Sequence, residues 1–172
     1  ATNAANSFGG AFAHGDNSRI TTQQFINCTI VSNAAPYGGG GIYIRDWSGV
    51  SMPNAVMIMV NSIVASNTSD NLSMKAPAGY TNIILHSCSF PSNANFRLEG
   101  TGNTTNAPRF ADFAGRNYRL TPASPAVNAG TNQAWMAGAR DLDGYPRRDR
   151  FSGVADMGCY ERQPTGVLIR VR

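Results

Sequence analysis

Lysine and glutamate are almost missing from this chain: Lys75 stands alone, Glu99 and Glu161 are the only glutamates, and charged residues make up 14% of the 172 positions. With leucine also sparse, the composition excludes a helical bundle, which draws on those residue types. No run is both long and apolar enough to cross a bilayer as a helix, since the best candidate, Asn54 to Ala65, is short and carries Asn61 and Ser62. Three cysteines cannot all pair within one chain, and His14 and His86 do not show the spacing of metal ligands. No initiator Met or charged-then-apolar leader stands at the start, which predicts removal of a leader or of a larger N-terminal region. The formal charge of +4 rests almost wholly on Arg, and the densest group alternates with acids in Arg140-Asp141-Leu142-Asp143 and Arg147-Arg148-Asp149-Arg150. Mutual ion pairing, and not nucleic-acid binding, is the expectation.

What the chain has in plenty is Asn, 18 Gly and a hydrophobic fraction of 42%, too apolar for disorder and suited to strands and turns in one continuous body. Three segments align without gaps: residues 27–33, 61–67 and 87–93, each closing on Ser-Asn. Each follows an apolar run, Gln24-Phe25-Ile26, Val56-Met57-Ile58-Met59-Val60 and Ile83-Ile84-Leu85-His86. The offsets (61 − 27 = 34, 87 − 61 = 26) differ while the segment does not, as in coils with loops of unequal size. Gly9-Gly10 and Gly38-Gly39-Gly40-Gly41 precede the first two segments at places where corners are needed. The pattern predicts an all-β parallel solenoid in which aligned residues stack about 4.8 Å apart. Ile30, Val64 and Phe90 are expected to form one inward ladder and Cys28, Ser62 and Cys88 another, with Asn33, Asn67 and Asn93 stacked at a corner. Two rungs would then separate Cys28 from Cys88, too far for a disulfide, so these are expected to be buried thiols.

The pair Gly-Gly-Gly-Ile-Tyr (residues 39–43) and Asn-Ser-Ile-Val (61–64) resembles the bacterial right-handed parallel β-helix repeat proteins, a class that includes polysaccharide lyases and many surface proteins. The later motifs Asn117-Tyr118-Arg119-Leu120, Ser124-Pro125-Ala126-Val127-Asn128-Ala129-Gly130, Asp141-Leu142-Asp143-Gly144-Tyr145-Pro146-Arg147 and Asp156-Met157-Gly158-Cys159-Tyr160-Glu161 resemble the closing segment of β-helix proteins of the choice-of-anchor Q kind. The resemblance implies a right-handed β-helix over residues 1–106, a loop-rich C-terminal cap with a terminal strand over 107–172, and an extracellular or cell-surface location. Cys159 departs from the pattern, where a small Ala is more typical, and the ending 166–172 is neither a membrane anchor nor a sorting domain. An uncovered last coil would expose apolar side chains and strand edges. Phe110, Phe113, Tyr118, Leu120, Val127 and Trp135 are expected to lie across that end.

Candidate chemistry is thinner. Asp141, Asp143 and Gly144 look like the start of a calcium loop, but Tyr145-Pro146-Arg147 follows at once; a turn Asp serving backbone amides, or Asp143 paired with Arg147, is preferred, with Asp156 and Glu161 in the same polar network. A lyase base beside neutralising acids, or a hydrolase's clustered carboxylates, do not fall in register, so no catalytic residue, metal or cofactor is assigned. Tyr43, Asp46 and Trp47 form the best sugar platform, an aromatic beside a carboxylate. The function expected is a structural or adhesive surface protein. Its partners would be missing N-terminal coils or further copies of the chain, with surface glycan as a ligand. The alternatives are the inert end of a polysaccharide lyase or glycoside hydrolase, and a self-assembling filament or surface-layer subunit. The tail alternates Val167, Ile169 and Val171 with Arg, the period of a half-buried strand.

Overall fold

The structure, a computed structural model, describes residues 3–14, 22–45, 56–75, 80–92 and 98–163, with Lys75 described in its backbone only. The apolar runs form strands because β-branched and aromatic side chains alternate there between a buried and an open face. Among the described residues the strands, in chain order, are β1 (Phe12–His14), β2 (Thr22–Ile26), β3 (Thr29–Val31), β4 (Ile42–Arg45), β5 (Val56–Val60), β6 (Ile63–Ala65), β7 (Leu72–Lys75), β8 (Thr81–Leu85), β9 (Cys88–Phe90), β10 (Phe110–Asp112) and β11 (Asn117–Leu120). The first nine stack in three parallel sheets, β1-β4-β7, β2-β5-β8 and β3-β6-β9; β10 and β11 form an antiparallel pair. Three successive coils thus each give one strand to each sheet, a parallel solenoid-like stack. No described helix is long and apolar enough to cross a membrane.

Alternation sets the register. Met57 and Met59 of β5 are fully buried, as are Ile42, Ile44, Val64, Leu72 and Ile84, and together with Phe25 they fill the interior of the coils. Phe12 meets Phe25 edge to face at 5.1 Å between ring centroids. Gly40 lets two coils touch, because a Cβ there would sit 1.9 Å from the Thr68 carbonyl oxygen.

The first two aligned segments stand in the expected register, Ile30 beside Val64, but the third is displaced by one residue. Val64 pairs with Ser89, and Phe90 pairs with Ala65 in the outward ladder. The spacing from the second coil to the third is therefore 25 residues, as in the bond from the Ser62 N–H to the Ser87 hydroxyl, whereas the first spacing is the expected 34, from the Cys28 N–H to the Ser62 hydroxyl. A one-residue slip exchanges the two faces of a strand, which is why Phe90 leaves the interior. Likewise Cys28, Ser62 and Ser87, not Cys88, form the turn ladder, each residue's N–H bonding to the side chain one rung on for the first two.

Corners use two kinds of residue. Asn27, Asn61 and His86 occupy equivalent positions with φ of 51°, 51° and 48°, and Ser32 and Ser66 also adopt positive φ. Asn33 and Asn67 stack as expected. Asn93 lies outside the described residues, and Asn71 fills the next place. Asn3 gives its N–H and Nδ2 to Asn33 Oδ1, Asn33 gives both to Asn67 Oδ1 at 2.9 and 3.0 Å, and Asn67 gives both to Asn71 Oδ1. Along this row of Asn–Asn bonds each residue donates to the Oδ1 of the next, while Asn33 Nδ2 also donates to the Val31 carbonyl oxygen and Asn67 Nδ2 to that of Ile30.

The C-terminal residues do not lie across the end of the last coil as expected. They run along the outer face of β3-β6-β9. Ile63, Ala65 and Cys88, together with Val31, form a second apolar cluster there with Leu120, Ala126 and Met157; Phe90, Phe110, Tyr118 and Val127 pack against it. Phe113 and Trp135, expected in the cover, remain 42% and 48% exposed. The segment fastens to all three coils: the Cys159 N–H bonds to Thr29 Oγ1 at 3.0 Å, Asn61 exchanges bonds with Thr131 at 2.7 and 2.8 Å, and His86 Nδ1 lies 3.0 Å from the Ala129 carbonyl oxygen. Gly158, at φ +96°, is required at the seam, since a Cβ would approach Thr29 Oγ1 to 2.7 Å. The physical reason for the flank position is that the outward ladders of this sheet are themselves apolar and need cover. The end of the stack is met by residues 98–106, where Thr104 bridges to Cys88 and Leu98 packs on the inner cluster.

Candidate functional site

The C-terminal segment has little regular structure, so its backbone amides need other partners, and buried carboxylates supply them. Asp141 Oδ1 accepts the N–H groups of Asp143 and Tyr145, and its Oδ2 accepts that of Glu161 at 2.8 Å. Asp156 accepts from Asn128 and Arg162 at 2.6 Å each, and Glu161 Oε2 accepts the Asp156 N–H at 2.9 Å. Arg147 Nη1 lies 3.6 Å from Glu161 Oε1 and donates to the Gly158 carbonyl oxygen at 3.1 Å. Burial pushes the Glu161 carboxyl up to about 8 and raises Asp156 as well, against the downward pull of the amides and of nearby Arg. The expected network of Asp141, Asp156 and Glu161 is thus present.

Asp143 pairs with Arg119 and not with Arg147. Arg119 Nε and Nη2 donate to the two carboxylate oxygens at 2.6 and 2.5 Å, its Nη1 donates to Asn117 Oδ1 at 3.1 Å, and its guanidinium lies 4.8 Å over the Tyr160 ring. Both carboxylates of the suspected calcium loop therefore already hold protein donors. Arg140 and Arg148 donate to the carbonyl oxygens of Gly144 and Gln133, so these Arg serve the backbone more than neighbouring acids.

Beside this network opens a groove of about 520 Å³, within the range of small-ligand sites. It is lined by Arg119, Asp143, Tyr145, Glu161, Arg162 and Gln163, among others. Arg162 uses its backbone N–H on Asp156, but its guanidinium has no hydrogen bond or ion pair among the described residues. Tyr145 is 44% exposed. The motifs flagged Asp141 to Arg147 as one turn; the pairing of Asp143 with Arg119, and the placing of Arg162 beside them in the groove, depend on chain reversal that no local pattern announces.

The proposed sugar platform fares differently. Tyr43 is 1% exposed, its ring stacks on Phe8 at 4.5 Å, and its hydroxyl has no hydrogen-bond partner among the described residues. Asp46 and Trp47 lie outside the described residues. Among the described residues, an exposed aromatic near Phe8 is Tyr37, 69% exposed and 5.7 Å from the Phe8 ring, with Arg45 6.0 Å over that ring. Sequence reading missed Tyr37 because it follows a Pro in a turn, outside the aligned segments. The three cysteines are free; Cys88 is buried and its thiol pushed up to about 12 by desolvation, and burial raises Cys28 and Cys159 too, which leaves all three poorly reactive. Glycosylation triplets fall at Asn27, Asn67, Asn71 and Asn103; Asn27 and Asn71 are buried, and all four side chains hydrogen-bond within the fold. Comparison with protein-family models, curated proteins and solved structures returns no match.

Proposed function

We propose that the chain is part of a secreted or cell-surface right-handed β-helix of bacterial type, with a structural or adhesive role and surface glycan as its ligand. The right hand follows from the general rule for parallel crossovers. The observation that carries the reading is the fastening of the C-terminal segment along one flank of a three-coil parallel stack. One flank of this strand-paired body is occupied by irregular backbone that bears a polar groove, and irregular segments carried on regular scaffolds are where recognition sites concentrate. The resemblance of the closing motifs to choice-of-anchor Q proteins supports the extracytoplasmic location. Binding of the purified chain to an array of bacterial and host glycans tests it, with retention of at least one glycan class expected. Absence of binding across the whole array would overturn the adhesive role.

A second reading, self-assembly, is favoured by the open edge of the first coil. Each of β1, β2 and β3 has a single strand neighbour among the described residues, and the Asn ladder begins with Asn3 Oδ1, which accepts from no described residue. A groove of about 280 Å³ lies between Thr29–Val31 and the side chains of Tyr118, Leu142 and Tyr160, with Leu142 71% exposed. A further coil, or another copy of the chain, would add strands in register and donate to Asn3. The tail 166–172, the expected terminal strand and the candidate for docking, lies outside the described residues. Sedimentation over a wide concentration range decides: assembly lost on deleting 166–172 supports docking by the tail, and a monomer at every concentration ends this reading.

A further inference from the structure

Within the adhesive reading, the charge of the C-terminal groove selects among ligands. Arg119 is neutralised by Asp143 through two hydrogen bonds. Glu161 stands beside Arg147, which offsets it when ionised, and the carboxyl adds no charge when protonated. Asp156 interacts electrostatically with Arg162, yet both of its oxygens already accept backbone N–H groups and its residue is 1% exposed. Among the described residues that line the groove, one cation is left without a partner, Arg162, whose planar guanidinium matches a carboxylate with two parallel bonds. Beside it stand the half-exposed Tyr145 ring, which offers an apolar face, and Gln163, whose amide serves hydroxyls.

We infer that this groove binds a uronic-acid residue of a polysaccharide, with Arg162 holding the sugar carboxylate, Tyr145 lying against the ring face and the Arg119–Asp143 pair and Gln163 bonding its hydroxyls. This inference rests on the adhesive reading but places the ligand on the C-terminal segment, away from Tyr43, Asp46 and Trp47. It requires a carboxylate, so a neutral sugar of the same shape should be rejected; an unpaired cation left against an uncharged group gains nothing to offset its desolvation.

The test is titration calorimetry of the whole chain with glucuronate, galacturonate and mannuronate oligosaccharides, their methyl esters, and the neutral sugars of equal length. Binding of at least one acidic oligosaccharide is expected, weakened tenfold or more in its ester and neutral forms. Arg162→Ala should lose tenfold or more and Tyr145→Ala several-fold, while Arg116→Ala, an exposed cation on the β10–β11 turn, should change affinity less than twofold. Arg162→Ala is checked for an unchanged melting midpoint; if it is destabilised, Arg162→Gln, which keeps the length and removes the charge, takes its place. Equal binding of acid, ester and neutral sugar would overturn the inference while leaving the adhesive reading intact, as would equal losses from Arg116→Ala and Arg162→Ala. No binding by any of these sugars, with a neutral or aminated glycan retained on the array, would do the same. Silence in both experiments would remove the adhesive reading as well.

Discussion

In the coils, backbone groups are satisfied by strand pairing and by neutral side chains at the corners, Ser62, Ser87, Asn33 and Asn67; along residues 107–163 the same office falls to the ionisable Asp141, Asp156 and Glu161. The stack repeats one geometry and spreads its stability over many equivalent contacts, while the C-terminal segment hangs on a few carboxylates, Asp141 holding three amides, Asp156 two and Glu161 one. One region should resist pH and single polar substitutions, and the other should respond to both. Apolar burial joins them, since Ile63, Ala65 and Cys88 face Leu120, Ala126 and Met157.

The largest effect should come from Val64→Asp, which erases the comparison by removing both regions. Val64 is 0% exposed in the inner cluster, and an unpaired carboxylate there costs more than about 4 kcal/mol. Loss of the cooperative transition in circular dichroism is the expected readout; a folded variant of normal stability would refute the inward assignment.

Asp141→Ala should separate the two regions. It strands the N–H groups of Asp143, Tyr145 and Glu161, at about 1–3 kcal/mol for each group left buried without a partner. Hydrogen exchange should rise through residues 139–161 while β5 and β8 stay protected. Equal loss of protection in β5 and β8 would show that the stack depends on its cover as much as the cover depends on the stack.

The pH response should be smaller and of definite sign. Glu161 ionises near 4.5 in an unfolded chain and at about 8 when buried, so the folded state holds the extra proton between those values. Its contribution to stability is full below about pH 4.5 and is lost as pH rises through 8, on the order of a few kcal/mol, with Asp156 shifted in the same direction. Melting should therefore be lower at pH 9 than at pH 5. Glu161→Gln, which keeps an acceptor for the Asp156 N–H, should flatten that slope; an unchanged slope would place the titration elsewhere. In the stack Asp70 also shifts upward through burial, but it is partly exposed and contributes less.

The stack was legible in the sequence because its determinants are local and repeated. Alternation marked β2, β5 and β8, and the offset of 34 fixed the first two coils. The third coil misled through its Ser-Asn: matching Ser92 to Ser66 aligns the turns, whereas burial of Ile84 under Met59 aligns the strands, and one extra residue near Pro91 separates the two solutions. His86 at an Asn corner was the available clue, since it falls opposite Asn61 only in the observed register. The polar network around Asp141 could be read from turn chemistry. The flank position could not, because it depends on Cys159 meeting Thr29 across 130 residues, and nothing in the repeat that contains Thr29 announces a partner so far along the chain. Arg162 as a groove residue was hidden for the same reason.

The smallest effect should come from Asp143→Ala, and its smallness distinguishes the exposed rim of the segment from its buried amide-holding core. The Arg119–Asp143 pair has ideal two-bond geometry, but the Arg119 side chain is 50% exposed and that of Asp143 20%, so solvent and salt screen the attraction and the net loss should stay below about 1 kcal/mol. Asp143 holds no backbone amide, unlike Asp141 two residues earlier, which accepts three. Adding millimolar calcium should move the melting midpoint less than this substitution does, because Asp141 already accepts amides and Asp143 already accepts Arg119. Chemical denaturation of the wild type and Asp143→Ala, at low and high salt and with and without calcium, checks all three statements. A loss as large as that of Asp141→Ala, or a saturable calcium stabilisation abolished by Asp143→Ala, would mean that the pair gives way to a cation and that the rim belongs with the buried network.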